Sequence, residues 1–245
     1  MWSPSQVIRS ILTLGVAQVF TWAATAALTI LMPRYLGDAG LGQLAFAIGV
    51  TSMLGAVADL GTTTYLAREL ARDPRRADAL VGNTLALRLP LTLAAAGIAL
   101  TVTVVSGRDE ATRLVVYFCC LSMVLDGLSN VLLGTLQGLQ RIGALALALG
   151  VTKLAFAAVA GALMIGGAGA VGVVLGTILS LGLGIGMNVV ALRRLVRLGF
   201  SADLDAWRAI VRGGMPFFVW QAALTVYATI DILMLTFLTR DAVVG

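Results

Sequence analysis

The chain has 245 residues, of which 59% are hydrophobic and only 12% are charged, and its mean hydropathy is +0.98. A soluble domain carries about 25% charged residues, so this composition excludes a soluble globular protein and indicates an all-α polytopic protein embedded in the lipid bilayer. The net charge of +5 is typical of membrane proteins with arginine-rich cytoplasmic loops, and we expect no nucleic-acid partner.

Charge-free apolar stretches predict seven membrane-spanning helices. In chain order they cover residues 10–32, 40–58, 82–105, 114–136, 142–165, 170–192 and 215–238. The second stretch continues through Asp59-Leu60-Gly61 towards Arg68. Between the first two stretches, Gly37 can end a helix in the left-handed conformation, which predicts a tight turn at that point.

The segment between the sixth and seventh stretches is amphipathic. Leu204, Trp207 and Ile210 recur there at helical spacing beside arginines, and Gly213-Gly214 followed by Pro216 predicts the end of a short interfacial helix. The predicted organisation is a six-helix N-terminal transmembrane lobe at 1–198, an interfacial linker helix at 199–214, and the first helix of a second, missing bundle at 215–245.

Lysine and arginine residues favour one side of the predicted membrane. Of the seventeen, twelve fall at the N-terminus or in the even-numbered loops, four fall on the opposite side, and Lys153 lies within a span. Because cytoplasmic loops carry an excess of these residues, the bias predicts a cytoplasmic N-terminus.

Two ionisable residues lie near the middle of the fourth and fifth spans. Asp126 and Lys153 are each about 13 residues from the turn at 139–140. Equal distances from the turn of an antiparallel hairpin mean equal depth, so we expect these side chains to face each other. Asn130 lies one helical turn from Asp126, on the same face.

Other charges repeat this pattern. Asp59 and Arg88 flank the loop at Asp73-Pro74, and Asp231 lies in the outer half of the seventh span. Since a charge at mid-membrane costs about 2.5–3.5 kcal/mol, each one requires an explanation. Two interpretations stay open: structural ion pairs inside the bundle, or a water-filled cavity that binds substrate or a coupling ion. The candidate cavity residues are Asp126, Lys153, Asn130, Arg88, Asp59 and Asp231.

Glycines are concentrated in the fifth and sixth spans. Gly172–Gly176 and Gly182–Gly186 each form a GxxxG pattern, which predicts close approach of two helix backbones.

Residue types for enzymatic or metal chemistry are scarce. The chain has no histidine, and its two cysteines, Cys119 and Cys120, are adjacent in an apolar run. Neighbouring helical residues point about 100° apart, so we expect Cys119 and Cys120 to be packing residues and not to form a disulfide or a metal site. We expect no catalytic residue, metal or cofactor, since a membrane-embedded transferase needs clustered carboxylates or histidine.

Several stretches resemble a known family: RYLGDAGLGQLAFA at 34–47, VADLGTTTYLARELARDP at 57–74, VGNTLALRLPLTLAA at 81–95 and LLGTLQGLQRIGALALALGVTKL at 132–154. They are similar to the N-terminal part of bacterial polysaccharide transporters. These are the oligosaccharide repeat-unit flippases of the MATE-like (multidrug/oligosaccharidyl-lipid/polysaccharide exporter) superfamily.

The resemblance implies a two-lobed fold that flips a lipid-linked oligosaccharide of the polyprenyl-pyrophosphate type by alternating access. It implies a multi-pass protein of the bacterial cytoplasmic membrane, H⁺ or Na⁺ as coupling ion, and a role in polysaccharide biosynthesis for lipopolysaccharide or exopolysaccharide export. Residues 238–245 echo the turn at 36–42, as expected where a second repeat begins.

Other functions in the same superfamily remain alternatives. They are drug or cation efflux and flipping of a peptidoglycan precursor, and a further alternative is a truncated remnant that transports nothing. The first span carries neither an acidic nor a basic residue after Arg9, and its polar candidates are Gln18, Thr21, Thr25 and Thr29. The resemblance implies that acidic first-span residues serve some drug exporters, so their absence here disfavours drug efflux.

Overall fold

The computed structural model describes residues 4–197 and 199–238, and this part of the chain is helical without any strand. Side chains are described for residue 26 and for 28–197 and 199–224. The helices are α1 (Pro4–Asp59), α2 (Thr62–Arg72), α3 (Ala77–Val105), α4 (Glu110–Gly138), α5 (Ile142–Ile165), α6 (Gly169–Leu192) and α7 (Leu204–Leu238), with a 3₁₀ turn at Pro74–Arg76.

Five helical segments in the searched part of the chain are long and apolar enough to cross a membrane. They are Leu28–Arg72, Pro74–Val105, Glu110–Gly138, Ile142–Ile165 and Gly169–Leu192. The last four contain the predicted third to sixth spans. The all-α polytopic membrane class is therefore confirmed.

The first two predicted spans form one helical element with a kink at Gly37. Its φ of 63° and ψ of 177° interrupt α1 at the predicted turn. A positive φ costs glycine little because it has no Cβ atom. Leu28 lies beside Gly161 of α5, where a Cβ atom would stand 3.6 Å from Leu28 Cδ2. The chain before the kink therefore packs against the same bundle as the chain after it.

The stretch around this kink is fastened to the loop between α3 and α4. Gln43 Nε2 donates to Asp109 Oδ2 at 3.4 Å, and the Arg108 guanidinium lies 4.3 Å from the centre of the Phe46 ring. The Thr112 hydroxyl donates to the Asp109 carboxylate and lowers the pKa of that carboxyl. These contacts join the two connections at one end of the bundle.

The second predicted span does not continue towards Arg68 as one helix. Helix α1 ends at Asp59, and Leu60 and Gly61 take positive φ angles of 48° and 68° before α2 begins. Two successive residues in the left-handed region stop a right-handed helix. The break leaves Asp59 at a helix end inside the bundle, and α2 starts in a new direction.

The predicted linker helix at 199–214 is corrected in two ways. Residues 199–203 are not helical, and α7 then runs without a break from Leu204 through Pro216 to Leu238. The non-helical part is held to α3, since the Asn83 side chain accepts the Asp203 backbone N–H at 2.9 Å. The helix does not end after Gly213-Gly214. These glycines instead allow close contact with the connection between α1 and α2, since a Cβ atom at Gly214 would stand 2.6 Å from the Leu60 carbonyl oxygen.

Packing between the later helices follows one of the two glycine patterns. A Cβ atom at Gly176 of α6 would stand 2.7 Å from the Ala160 Cα of α5, so these backbones approach closely, as predicted. In contrast, Gly182 and Gly186 have no described atom within 4 Å of a Cβ position. Helix α6 also packs extensively against α4, whereas α4 and α5 have few contacts with each other.

The main apolar core lies between α1, α3, α4 and α6. Ala47, Ala99 and Val116 are fully buried there, and Cys119 and Cys120 lie among them as free thiols. The prediction that the cysteines are packing residues is confirmed. Residues 239–245, which carry the predicted echo of the first turn, lie outside the described residues.

Candidate functional site

A partly open cavity of about 500 Å³ lies between α1, α3, α4, α5 and α6. Its charged lining consists of Asp59, Arg88 and Asp126. Asn130, Ser52, Ser122, Thr51 and Thr177 add amide and hydroxyl groups. The remaining wall is apolar and includes Met32, Leu44, Ile48, Phe156 and Val173. The cavity is therefore amphipathic, with a polar region beside an apolar one.

The polar region contains the ion pair that the sequence predicted between Asp59 and Arg88. Arg88 Nη1 donates to Asp59 Oδ1 at 2.5 Å and to the Ala58 carbonyl oxygen at 3.2 Å. The Thr63 hydroxyl donates to the same Asp59 oxygen at 2.7 Å. Arg88 is 4% exposed and Asp59 is 29% exposed, so the guanidinium is buried while the carboxylate reaches the cavity.

Two positions that support this pair were missed at the sequence level. A Cβ atom at Gly127 of α4 would stand 3.1 Å from Arg88 Nε and 2.9 Å from Thr92 Cγ2, so any larger residue would displace these side chains. No pattern in the sequence indicates this contact, because it joins two helices. Thr63 could have been found, since it lies four residues after Asp59, although the intervening helix break alters the geometry.

The second carboxylate of the cavity belongs to α4. Asn130 Nδ2 donates to Asp126 Oδ2 at 2.8 Å, which confirms that they share a face one helical turn apart. Asp126 is exposed and lines the cavity, and within the described part of the chain it forms no salt bridge. Its charge is therefore less fully compensated by direct contacts than that of Asp59.

The predicted contact between Asp126 and Lys153 is wrong. Lys153 is exposed on α5 and is not among the residues that line the cavity. The prediction assumed that α4 and α5 pack as a hairpin, but α5 packs mainly against α6. The chain turns between them at Gln140, whose φ is 56°. Equal depth was not enough, because the two side chains point in different directions. The side chain of Asp231 lies outside the described residues, so its placement stays a prediction.

The described lining of the cavity holds two carboxylates and one guanidinium, which leaves one excess negative charge when all three are ionised. Hydroxyl, amide and carboxylate groups are suited to hydrogen bonds with sugar hydroxyls or to a monovalent cation. Within the searched residues, no three His, Cys, Asp or Glu side chains lie close enough together to hold a metal ion.

Comparison with known proteins agrees with this architecture. A family model described as "Polysaccharide biosynthesis protein" matches residues 7–245. A solved structure titled "Crystal structure of MATE in complex with Br-NRF" is similar with a TM-score of 0.57 and 19% identity, over 89% of this chain and 55% of that chain. At this identity the similarity shows the fold alone, and this chain spans about half the length of that protein. No curated protein matches the sequence. Because the family model covers nearly all of it, the chain belongs to the polysaccharide biosynthesis protein family.

Proposed function

We propose that this protein flips a lipid-linked oligosaccharide, the repeat unit of a polysaccharide, across the bacterial cytoplasmic membrane by alternating access and without covalent chemistry. The observation that carries the proposal is the amphipathic cavity inside a bundle of membrane helices. A polar site at membrane depth is costly, and in transporters such sites mark the substrate pathway. The family to which the chain belongs supports a polysaccharide cargo.

The cavity size is consistent with a sugar headgroup rather than a whole lipid. A volume of about 500 Å³ lies within the roughly 300–1,000 Å³ of small-molecule sites. The sugar hydroxyls contact Asp126, Asn130 and Ser122, while the polyprenyl chain remains in the bilayer. The pyrophosphate is not held by Lys153, since that side chain lies outside the cavity.

Alternating access needs a coupling reaction, and we assign it to Asp126. Among the described cavity residues, this carboxylate is accessible and lacks a salt-bridge partner. Binding of H⁺ or Na⁺ there changes the charge of the cavity, and a ligand with different affinities for two conformations shifts their populations.

The proposed orientation places the N-terminus in the cytoplasm. Arg88 lies inside the bundle, so it is no longer counted as a loop residue. Eleven arginines then lie on the side of the N-terminus and four on the opposite side. This excess still favours a cytoplasmic N-terminus. We also propose that 1–198 form one lobe and that α7, which continues through Pro216, connects this lobe to a second one.

The experiment is a flipping assay with the protein in vesicles. A fluorescent lipid-linked oligosaccharide is incorporated, and the fraction that becomes accessible to an external quencher is followed over time. We expect protein-dependent translocation that Asp126→Asn slows and that Asp205→Asn, an exposed residue outside the cavity, leaves unchanged. Absence of any protein-dependent translocation would contradict the proposal.

One observation favours a second candidate, efflux of an organic cation. The excess carboxylate in the cavity is suited to a positively charged cargo. The same vesicles distinguish the two functions: accumulation of an organic cation driven by an ion gradient, without flipping of the lipid-linked sugar, would support efflux instead.

A further inference from the structure

The only charged side chains among the described cavity residues are Asp59, Arg88 and Asp126. The single positive charge is directed at the protein itself, since Arg88 donates to the Asp59 carboxylate and to the Ala58 carbonyl oxygen. An arriving anion therefore meets a guanidinium that is hydrogen-bonded to the protein itself and a second carboxylate that has no salt-bridge partner among the described residues. At low dielectric constant this difference is large, because charge interactions are weakly screened there.

Arg88 is also prevented from turning towards a ligand. Its side chain is 4% exposed, and its Nε atom, which has no hydrogen-bond partner in the described part of the chain, is buried against the Gly127 position of α4. Release of the guanidinium would leave the Asp59 carboxylate without its cation, and breaking a buried ion pair in this way is strongly unfavourable. The arginine therefore holds Asp59 in position and does not offer an anion site.

The groups that remain available to a ligand are the Asp126 carboxylate, the Asn130 amide and, as acceptors, the hydroxyl oxygens of Ser52, Ser122 and Thr177, which donate to carbonyl oxygens of their own helices. Neutral sugars hydrogen-bond with all of these groups, and a protonated amino sugar gains an added attraction to Asp126. A uronate or a pyrophosphate gains no comparable partner and is repelled by Asp126.

We propose that this cavity selects its sugar by charge, accepting neutral and amino-sugar units and excluding sugars that carry a carboxylate or phosphate. This inference rests on the proposed sugar cargo and adds the chemical class of that cargo. The negatively charged pyrophosphate of the lipid-linked substrate then lies outside this cavity during transport, and only the glycan enters.

The test uses three octyl glycosides that share a ring and an alkyl chain: the glucosaminide, the glucoside and the glucuronide. The full chain is placed in nanodiscs of neutral phosphatidylcholine at neutral pH, where most of the glucosaminide amine is still protonated and Asp126 is less readily protonated than in acid. Binding is measured by isothermal titration, and the signal from empty nanodiscs is subtracted. We expect affinities in the order glucosaminide, glucoside, glucuronide, with about tenfold between the first and last, or about 1.4 kcal/mol.

Two variants assign the preference to the cavity. Asp126→Asn is expected to reduce the tenfold preference to about twofold, because the amide keeps most hydrogen bonds but not the charge. The matched control Asp205→Asn, which removes an exposed carboxylate on α7, is expected to keep the order.

The outcomes separate this inference from the function on which it rests. Binding of all three glycosides with equal affinity, or a preference for the glucuronide, would overturn charge selection and leave the sugar cargo standing. A preference that survives in Asp126→Asn would also overturn it. If no glycoside binds, the proposed sugar cargo fails, and charge selection fails with it.

Discussion

Helices α4 and α5 are both apolar enough to span a membrane, yet they contribute to the molecule in different ways. In the most apolar 18-residue stretch of α4, 44% of the stretch is buried inside the structure. In the corresponding stretch of α5, which is the more apolar helix, only 6% is buried. Helix α4 presents Asp126 and Asn130 to the cavity, and α5 exposes Lys153. Apolar composition thus identifies a span but does not say which face of it meets protein, which depends on the neighbouring helices.

The largest expected effect comes from removing the buried cation beside α4. Arg88→Leu leaves the Asp59 carboxylate unpaired inside the bundle, and we expect a loss of about 3 kcal/mol or more in unfolding free energy. Thermal unfolding of the purified protein in detergent measures it. The matched control is Lys153→Leu, which removes a cation from α5.

A second variant distinguishes loss of the pair from loss of arginine packing. Adding Asp59→Asn to Arg88→Leu removes the unpaired carboxylate, so part of the stability should return. Equal destabilisation by Arg88→Leu and Lys153→Leu would show that the buried cation beside α4 is no more important for stability than the exposed cation on α5.

The next largest effect concerns the attachment of α5 to the bundle. Gly176→Ala places a Cβ atom 2.7 Å from the Ala160 backbone, and we expect a loss of about 2 kcal/mol because two helix backbones must separate. The same unfolding measurement applies. Gly182→Ala, where the structure has no described atom within 4 Å, should be neutral; equal losses would contradict this packing.

A smaller effect is expected where α4 packs against the arginine. Gly127→Ala brings a Cβ atom to 2.9 Å from Thr92 Cγ2 and 3.1 Å from Arg88 Nε. These are side-chain atoms that can shift by a few tenths of an ångström, so we expect a loss of about 1 kcal/mol. Gly150→Ala on α5, which faces open space, is the control and should be neutral or slightly stabilising. Thermal unfolding of the two variants side by side measures the difference, and equal stability of both would contradict the contact between Gly127 and Arg88.

The smallest effect is expected at Lys153. Because this side chain is exposed and lies away from the cavity, Lys153→Leu should lower the unfolding free energy by no more than about 0.5 kcal/mol, and removal of a mid-span charge can raise it. The flipping rate in vesicles should also stay unchanged, whereas Asp126→Asn slows it. A Lys153→Leu variant that inserts normally but no longer transports would restore a role for this lysine.

Much of the fold could be predicted from the sequence because membrane spans are determined by local composition. The predicted bounds of α5 coincide with the observed ones, and those of α6 differ by one residue at the start. The break after Asp59 was not predicted, since Leu60 is not a residue type that ordinarily adopts a positive φ. The continuity of α7 through Gly213-Gly214 was also missed, because glycine allows both a helix end and a close helix contact.

The candidate site was predictable in composition but only partly in geometry. Charges at membrane depth pointed to Asp59, Arg88 and Asp126, and helical spacing added Asn130; the structure brings all four to one cavity. Their depth along each span follows from sequence separation. The direction in which a side chain points depends on which helices are neighbours, and for Lys153 the sequence carried no information about that.

The most direct test asks whether the Asn130 side chain faces a water-accessible cavity while the Lys153 side chain does not. In a chain whose Cys119 and Cys120 are replaced by alanine, Asn130→Cys and Lys153→Cys are each treated in vesicles with a charged, water-soluble thiosulfonate. We expect modification of Asn130→Cys, slowed by the lipid-linked oligosaccharide, and no modification of Lys153→Cys. Modification of both at the same rate, or of Lys153→Cys alone, would contradict it.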